Sequence, residues 1–263
     1  MIPSEKPLTG LRILITRSEA QAIPFIKKIE RLGGTAISAP LITFRLPADL
    51  SSIEHLMKQL DQYKWIVFTS QNAVRFFLKM AERLQLNEKD LKNHKLAAIG
   101  EKTESLLNEH GLDVHFSPTE YVAEQFVEEF GCVLQDDERV LFPHGSLARD
   151  TIASGMEGRN KQIDSFVAYE TVPDTTRKQK LIKLVKQGEV DIVTFTSSST
   201  VHLFFEHIRD ELSVPTRLQF ACIGPITAGT LESYGFKANI IASVYTIDGL
   251  LDSIVKKVRE EKE

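Results

Sequence analysis

IVFTSQNAVRFF (Ile66–Phe77) and IVTFTSSSTVHLFF (Ile192–Phe205) are two versions of one sentence. In each, a short apolar run rich in β-branched residues ends in Thr-Ser, and an amphipathic stretch begins within a few residues. The first half reads as a buried strand and the second as a helix with one core-facing stripe. A strand that hands over to a helix at a Thr-Ser turn is one piece of an α/β unit. Its second copy says that the unit is duplicated.

Working outward, the same grammar covers the chain. LRILIT (Leu11–Thr16) is a strand, and a helix follows with Ser18 as its candidate cap, Ile23, Ile26, Ile29 and Leu32 at helical spacing, and Gly33-Gly34 as its stop. TAISAPLITF reads as a second strand broken by Pro40. LSSIEHLMKQLDQY, QNAVRFFLKMAERL (started by a Ser70/Asn72 cluster), EKTESLLNEHG and TEYVAEQFVEEF read as helices, between the strands KWIVFTS, KLAAIG and DVHFSP. The pattern then restarts with ERVLFPHG and QIDSFVAYETV, and runs through DIVTFTSS, LQFACIG and KANIIAS to the closing helix TIDGLLDSIVKKVRE. Strands alternating with helices imply parallel sheets covered on both faces.

The copies align at two nearby offsets. Phe68-Thr69-Ser70 matches Phe195-Thr196-Ser197, and Leu14 matches Leu141, both at 127 residues. Gly100, Thr103, Leu107, Gly111 and Tyr121 match Gly224, Thr227, Leu231, Gly235 and Tyr245 at 124. A unit of about 120 residues is too long for a solenoid repeat and has the size of a domain.

Composition narrows the function. Apolar residues are 42% and charged residues 26% of the 263, the balance of a globular protein with a core. A net charge of −4 gives no reason to expect nucleic acid, whose binders need a basic face, and an anionic ligand must be held by local positive potential. Cys132 and Cys222 read as small buried hydrophobes in a reducing, cytoplasmic setting. MIPSEKPLTG has no apolar core of secretory length, and no run reaches the 18 apolar residues of a membrane helix, so neither secretion nor a membrane is expected. The seven His are scattered and offer no metal-ligand spacing; His144, after a strand, reads as incidental. Asp136–Glu138 reads as a solvated acidic turn and KKVREEKE as a solvated helix end. With no unassigned apolar stripe left over, a monomer is expected.

The chemistry-bearing positions are the turns. Thr69-Ser70 and Thr196-Ser197 stand where a strand ends and a helix begins, with unpaired N–H groups and a positive dipole end. Such a turn caps its helix and can also hold a carboxylate or phosphate. GEKT (Gly100–Thr103) and GPIT (Gly224–Thr227) place a tight glycine turn before Thr103 and Thr227 in a first helical turn. Neither is a Walker loop or a GxGxxG. FVAYET (Phe166–Thr171) sets Tyr169 where one copy hands over to the other, opposite APLIT (Ala39–Thr43), so that two extended crossings could form a two-stranded hinge with the tyrosine placed to donate a proton.

Together, VFTSQNAV, AIGEKT with LNEHG, SFVAYET, TFTSSSTV, CIGPIT with SYG, and Tyr245-Thr246-Ile247-Asp248-Gly249-Leu250 resemble the uroporphyrinogen-III synthase family over nearly the whole chain. One departure is Pro143-His144-Gly145, where such proteins often carry an Arg-Gly pair. The resemblance implies two similar parallel-sheet α/β domains joined by a two-stranded β hinge. Residues 1–39 with 173–263 would form one domain, 43–166 the other, and 40–42 with 167–172 the hinge. It implies a cofactor-free cyclising lyase, whose substrate is the linear tetrapyrrole polycarboxylate hydroxymethylbilane and whose product has ring D inverted through a spiro intermediate, formed in the cleft between the domains. On these positions Tyr169 is the candidate acid, and Thr69, Ser70, Asn72, Thr103, Thr196, Ser197, Ser199, Thr227 and Arg17 are candidates for holding substrate. A transient hand-over from the preceding pathway enzyme would suit an unstable substrate. The rival expectation is a non-catalytic two-lobed binding or sensor module for an anionic metabolite.

Overall fold

The computed structural model describes residues 6–208 and 217–261. The chain divides into two compact units, one of residues 1–43 and 172–263, the other of residues 44–171. In chain order the elements are β1 (Arg12–Ile15), α1 (Glu19–Arg31), β2 (Thr35–Ser38), β3 (Ile42–Arg45), α2 (Ser51–Lys58), β4 (Trp65–Phe68), α3 (Gln71–Arg83), α4 (Glu88–Lys92), β5 (Lys95–Ala98), α5 (Glu101–Glu109) and β6 (Val114–Phe116). They continue with α6 (Ala123–Val133), β7 (Arg139–Gly145), α7 (Thr151–Glu157), β8 (Gln162–Pro173), α8 (Lys178–Lys186), β9 (Ile192–Phe195), α9 (Ser198–Ile208), β10 (Gln219–Cys222), α10 (Pro225–Glu232), β11 (Ile240–Ile241) and α11 (Ile247–Glu260).

The first unit holds a five-stranded sheet in the order β11-β10-β9-β1-β2, parallel throughout. The second holds the order β3-β8-β7-β4-β5-β6. Number the strands of each unit by position in the repeat, with β7 and β8 as its first two, and both sheets read 2-1-3-4-5, with β3 added beyond β8. This is a doubly wound order, with its reversal between β1 and β9 in one unit and between β7 and β4 in the other. The duplicated α/β class is therefore observed.

Each sheet is buried on both faces, which is why its strands are near-continuous apolar runs. In the first unit Ile13 and Ile15 face Ala22, Phe25 and Ile29 of α1 and Leu250 and Ile254 of α11. Leu14, Val193 and Phe195 face Leu181 and Val185 of α8 and Val201 and Phe204 of α9. In the second unit Ile66 and Phe68 face Val74 and Phe77 of α3, while Trp65 and Val67 face Phe126 and Phe130 of α6. The pairing of β4 with β7 stops at Leu141. Pro143, which has no N–H to give a ladder, lies beyond that point.

Three sequence expectations need correction. Cys222 is buried, but Cys132 is exposed on α6. The acidic run is not all solvated: Glu138 accepts from the indole N–H of Trp65 at 3.0 Å and from the Gln135 N–H at 3.2 Å. The short helix α4 was not expected from apolar periodicity. It is stabilised locally, because Asn87 accepts from Lys89 and Asp90 N–H while Asp90 accepts from Asn87 N–H, a reciprocal capping box.

The start of β1 is clamped to the start of β9. Asp191 accepts from Arg12 Nη2 at 2.7 Å, from Nε at 3.0 Å and from the Arg12 backbone N–H at 2.8 Å. Its carboxyl is held below the ordinary range, chiefly by the Arg12 side-chain hydrogen bonds. A group with a depressed folded pKa stabilises above its unfolded value of about 4 and loses that contribution as pH falls through the folded value. Asp191→Asn should therefore cost about 1 kcal/mol at neutral pH, a charge-assisted fork discounted because its side chains keep 35% and 27% of their surface exposed. Urea melts of variant and parent should converge in acid; a gap that widens there would exclude this origin.

Candidate functional site

Every strand of a parallel sheet delivers its carboxyl end to the same edge, and the next helix begins there. In the second unit this edge gathers the Thr69-Ser70 turn, the Gly100–Thr103 turn and Tyr169. Ser70 is the N-cap of α3, and its hydroxyl accepts from the Ala73 N–H at 3.1 Å. Asn72 is half-buried in the first turn and takes no part in the cap. Gly100 adopts φ 97°, a left-handed conformation open to glycine, and turns the chain from β5 into α5. Thr103 is buried in the first turn of α5, its N–H on the Gly100 carbonyl at 2.9 Å. The side chain of Gln71 donates to the Lys102 carbonyl at 3.1 Å, tying the two turns together.

Tyr169 joins this group. Its hydroxyl lies 3.3 Å from Ser70 Oγ, so the phenol reaches the N-terminus of α3. The ring is stacked on Phe76 at 5.5 Å and meets Phe44 edge-on at 5.5 Å. The pairing of β7 with β8 shifts between His144 and Gly145, which puts an extra residue, Ala168, into β8. Ala168 and Tyr169 then both pack against the α3 side of the core, the re-aiming of a side chain that a bulge provides. Gly145 leaves the room: a Cβ there would lie 2.6 Å from the Tyr169 ring. His144 is half-buried, with its Nδ1 3.0 Å from the Gly145 carbonyl oxygen.

The first unit repeats the turns with different contacts. Ser197 Oγ lies 2.9 Å from Ser199 Oγ and accepts from the Thr200 N–H at 3.4 Å. Thr230 donates to Ser198 Oγ at 2.7 Å, which ties α9 to α10 as Gln71 ties α3 to α5. Thr196 is half-buried beside this turn, and Thr227 is buried in the first turn of α10. Arg17 follows β1 at the same edge and donates from Nη2 to Gln21 Oε1 at 3.1 Å. Burial lowers its guanidinium from the ordinary value, yet arginine stays charged. Beneath it Thr16 and Thr194 interlock β1 and β9: each hydroxyl is buried and donates to a carbonyl of the facing strand, at 2.8 and 2.9 Å.

A cavity of about 760 Å³ opens at the opposite, amino-end edge of the second unit, lined by Tyr63, His94, Glu138 and Arg139 among others. Its polar groups serve one another. The Tyr63 hydroxyl donates to Asp164 at 3.0 Å, and burial, then that bond, pushes the phenol up to about 12. Arg139 donates to the same carboxylate at 2.6 Å. This is the wrong edge of a parallel sheet for a ligand.

The class is thus a protein of two parallel α/β units, each with an anion-friendly carboxyl edge, one of them carrying a tyrosine at a helix N-terminus. A family model described as "Uroporphyrinogen-III synthase HemD" matches residues 24–252, and the chain belongs to that family. It is 31% identical to a putative uroporphyrinogen-III synthase of Methanocaldococcus jannaschii, over 95% of this chain and 100% of the relative. It is 27% identical to the porphyrin biosynthesis protein HemD of Ruminiclostridium josui over 96% of this chain, and spans about half, 49%, of that relative's length. Among solved structures, the uroporphyrinogen-III synthetase from Helicobacter pylori matches with a TM-score of 0.63 at 19% identity, over 94% of this chain and 99% of that one, a likeness of fold.

Sequence reasoning reached the turns and Tyr169 but missed the shelf of Phe44 and Phe76 and the role of Gly145. The signal for Gly145 in the sequence was a glycine at the end of a strand. Gly145→Ala should push the Tyr169 ring aside and cost about 1–3 kcal/mol by overpacking. Adding Tyr169→Ala should recover most of that loss in a denaturant double-mutant cycle. Additive losses would show that the two residues do not share the space.

Proposed function

We propose that this chain is a uroporphyrinogen-III synthase, closing hydroxymethylbilane to the cyclic tetrapyrrole with ring D inverted. Family membership supplies the reaction, and the observation that carries it here is the Tyr169 hydroxyl 3.3 Å from Ser70 Oγ at the N-terminus of α3. The substrate must lose hydroxide from a hydroxymethyl group. A tyrosine hydroxyl can give its proton to that leaving oxygen. The N-terminus of α3 then lies beside the oxygen as charge separates, where fixed dipoles are most effective. Electron release from the pyrrole makes departure easy, so the tyrosine accelerates the step without being indispensable. Ring D attacks the resulting azafulvene through its substituted carbon, and the spiro intermediate fragments and recloses.

Choosing this closure over the uninverted one is positional work. The substrate's carboxylates give the protein its handles, and the Thr-Ser and Gly-x-x-Thr turns supply backbone N–H groups and hydroxyls for them. Thr69, Ser70, Asn72 and Thr103 serve in one unit, and Thr196, Ser197, Ser199, Thr227 and Arg17 in the other. The crossings at residues 40–42 and 167–172 act in this reading as the hinge on which the units turn. No described helix is long and apolar enough to cross a membrane. In this reading the protein is a cytoplasmic monomer that takes an unstable substrate from the enzyme producing it.

The test is a coupled assay that generates hydroxymethylbilane in place, followed by oxidation and separation of the porphyrin isomers. Isomer III should dominate, and isomer I alone at the uncatalysed rate would overturn the assignment in favour of a binding module. Tyr169→Phe should slow turnover about 10–100-fold with an unchanged melting curve. Full activity in that variant would remove the acid role.

A further inference from the structure

Among the described residues three buried polar side-chain atoms have no hydrogen-bond partner: Arg17 Nε, Ser18 Oγ and Ser38 Oγ. All three belong to the first unit, and its topology brings them to one place. Arg17 and Ser18 follow β1 at its carboxyl end. Ser38 closes the neighbouring strand β2, in register with Ile15, and the Ala39 N–H bonds the Ile15 carbonyl at 3.0 Å. Side chains alternate along a strand, so Ser38 shares a face with Ala36, which packs with α1. Ser18 is the N-cap of α1, a helix of thirteen residues. The three residues therefore stand at the carboxyl edge of the sheet, at the start of that helix and beside the reversal between β1 and β9.

No hydrogen bond among the described residues accounts for any of them. Ser18 is only 4% exposed, yet its hydroxyl caps nothing. The Gln21 and Ala22 N–H groups both bond its backbone carbonyl instead, at 3.0 and 2.9 Å. The first N–H groups of α1 have no partner within the helix, and its dipole is positive there. Among the described residues Arg17 makes one side-chain hydrogen bond, to Gln21, and its Nε has no partner. Buried polar groups are normally satisfied, and each that is not calls for an explanation. An unused guanidinium edge, two unused hydroxyls and a positive helix end have one partner in common, an anionic oxygen pair.

We propose that Arg17, Ser18, Ser38 and the N-terminus of α1 form a carboxylate pocket that seats one acidic side chain of the linear tetrapyrrole. The identity of the ligand rests on the function proposed above; the pocket itself does not. Ser18 and Ser38 extend the set of substrate-holding residues beyond those of the Thr-Ser and Gly-x-x-Thr turns. The second unit has no equivalent charge, because His144-Gly145 stands where the first unit has Arg17-Ser18.

Two measurements on the full chain test this. The first titrates sodium propionate against sodium chloride at matched ionic strength and follows backbone amide resonances. Propionate should shift the amides of residues 17–21 and 38–39 in the parent but not in Arg17→Gln. Inorganic phosphate shifting the same amides at lower concentration would overturn the carboxylate assignment. The second compares kinetics and melting. Arg17→Gln and the double variant Ser18→Ala/Ser38→Ala should raise KM for hydroxymethylbilane about tenfold while kcat holds, the loss of charge-assisted hydrogen bonds made equally in ground and transition states. The double variant should also melt about 2–4 °C higher, since it removes buried unsatisfied hydroxyls. A lower melting temperature would mean that the hydroxyls serve the fold, and would overturn the proposal. Isomer III formed with unchanged KM in both variants would remove the pocket and leave the activity standing. A propionate response that depends on Arg17, in a protein making no isomer III, would keep the pocket and remove the activity.

Discussion

A parallel sheet sends every strand's carboxyl end to one edge, and at that edge each following helix exposes N–H groups that its own ladder leaves unpaired. The rest of this molecule depends on that constraint. A chain with a net charge of −4 has no global field with which to attract a polyanion. It has instead a row of helix starts at each sheet's edge, each locally positive and each set by the topology. The strand order 2-1-3-4-5 adds a place of divergence, because the chain leaves the reversal point toward opposite faces on its two sides. In the first unit α1 leaves β1 on one face and α9 leaves β9 on the other. Arg17 and Ser197 follow those two strands.

Much of this was legible because duplication makes a sequence check itself. A Thr-Ser turn or a Gly-x-x-Thr turn is weak evidence alone. Two of each, at offsets of 127 and 124 residues, amount to an internal alignment. The alternation of apolar runs with helical stripes then specified the elements, since strands buried on both faces cannot be polar on either. Tyr169 stood out because it sat at the hand-over between the copies.

The rest was hidden because it is made by distant pairings. Glu138 reads as a turn residue until Trp65, on a neighbouring strand, donates its indole N–H. Gly145 reads as the end of a strand until a shifted register brings the Tyr169 ring over it. Ser18 reads as a helix cap, and the structure places it at the cap position without the cap bond. Ser38 gives no local signal, since only the register of β2 against β1 brings it under α1. Helix starts and core faces are local properties that a sequence spells out. Register and the fate of a single hydroxyl are not.

The two copies differ at the end of their first strand, β1 in one unit and β7 in the other. In the first unit Arg17-Ser18 brings a charge and a buried hydroxyl to the edge. In the second, His144-Gly145 brings no fixed charge, and the missing side chain of Gly145 is filled by the Tyr169 ring. In the reading proposed here, one topological position serves electrostatic holding and its duplicate places a proton donor. The two uses compete for the same space, because a side chain at residue 145 would displace the Tyr169 ring. On that reading the duplicated fold gives each task its own copy of the same edge. This accounts for a chain that repeats its scaffold closely at the Thr-Ser and Gly-x-x-Thr turns and departs from it at Arg17-Ser18 and His144-Gly145.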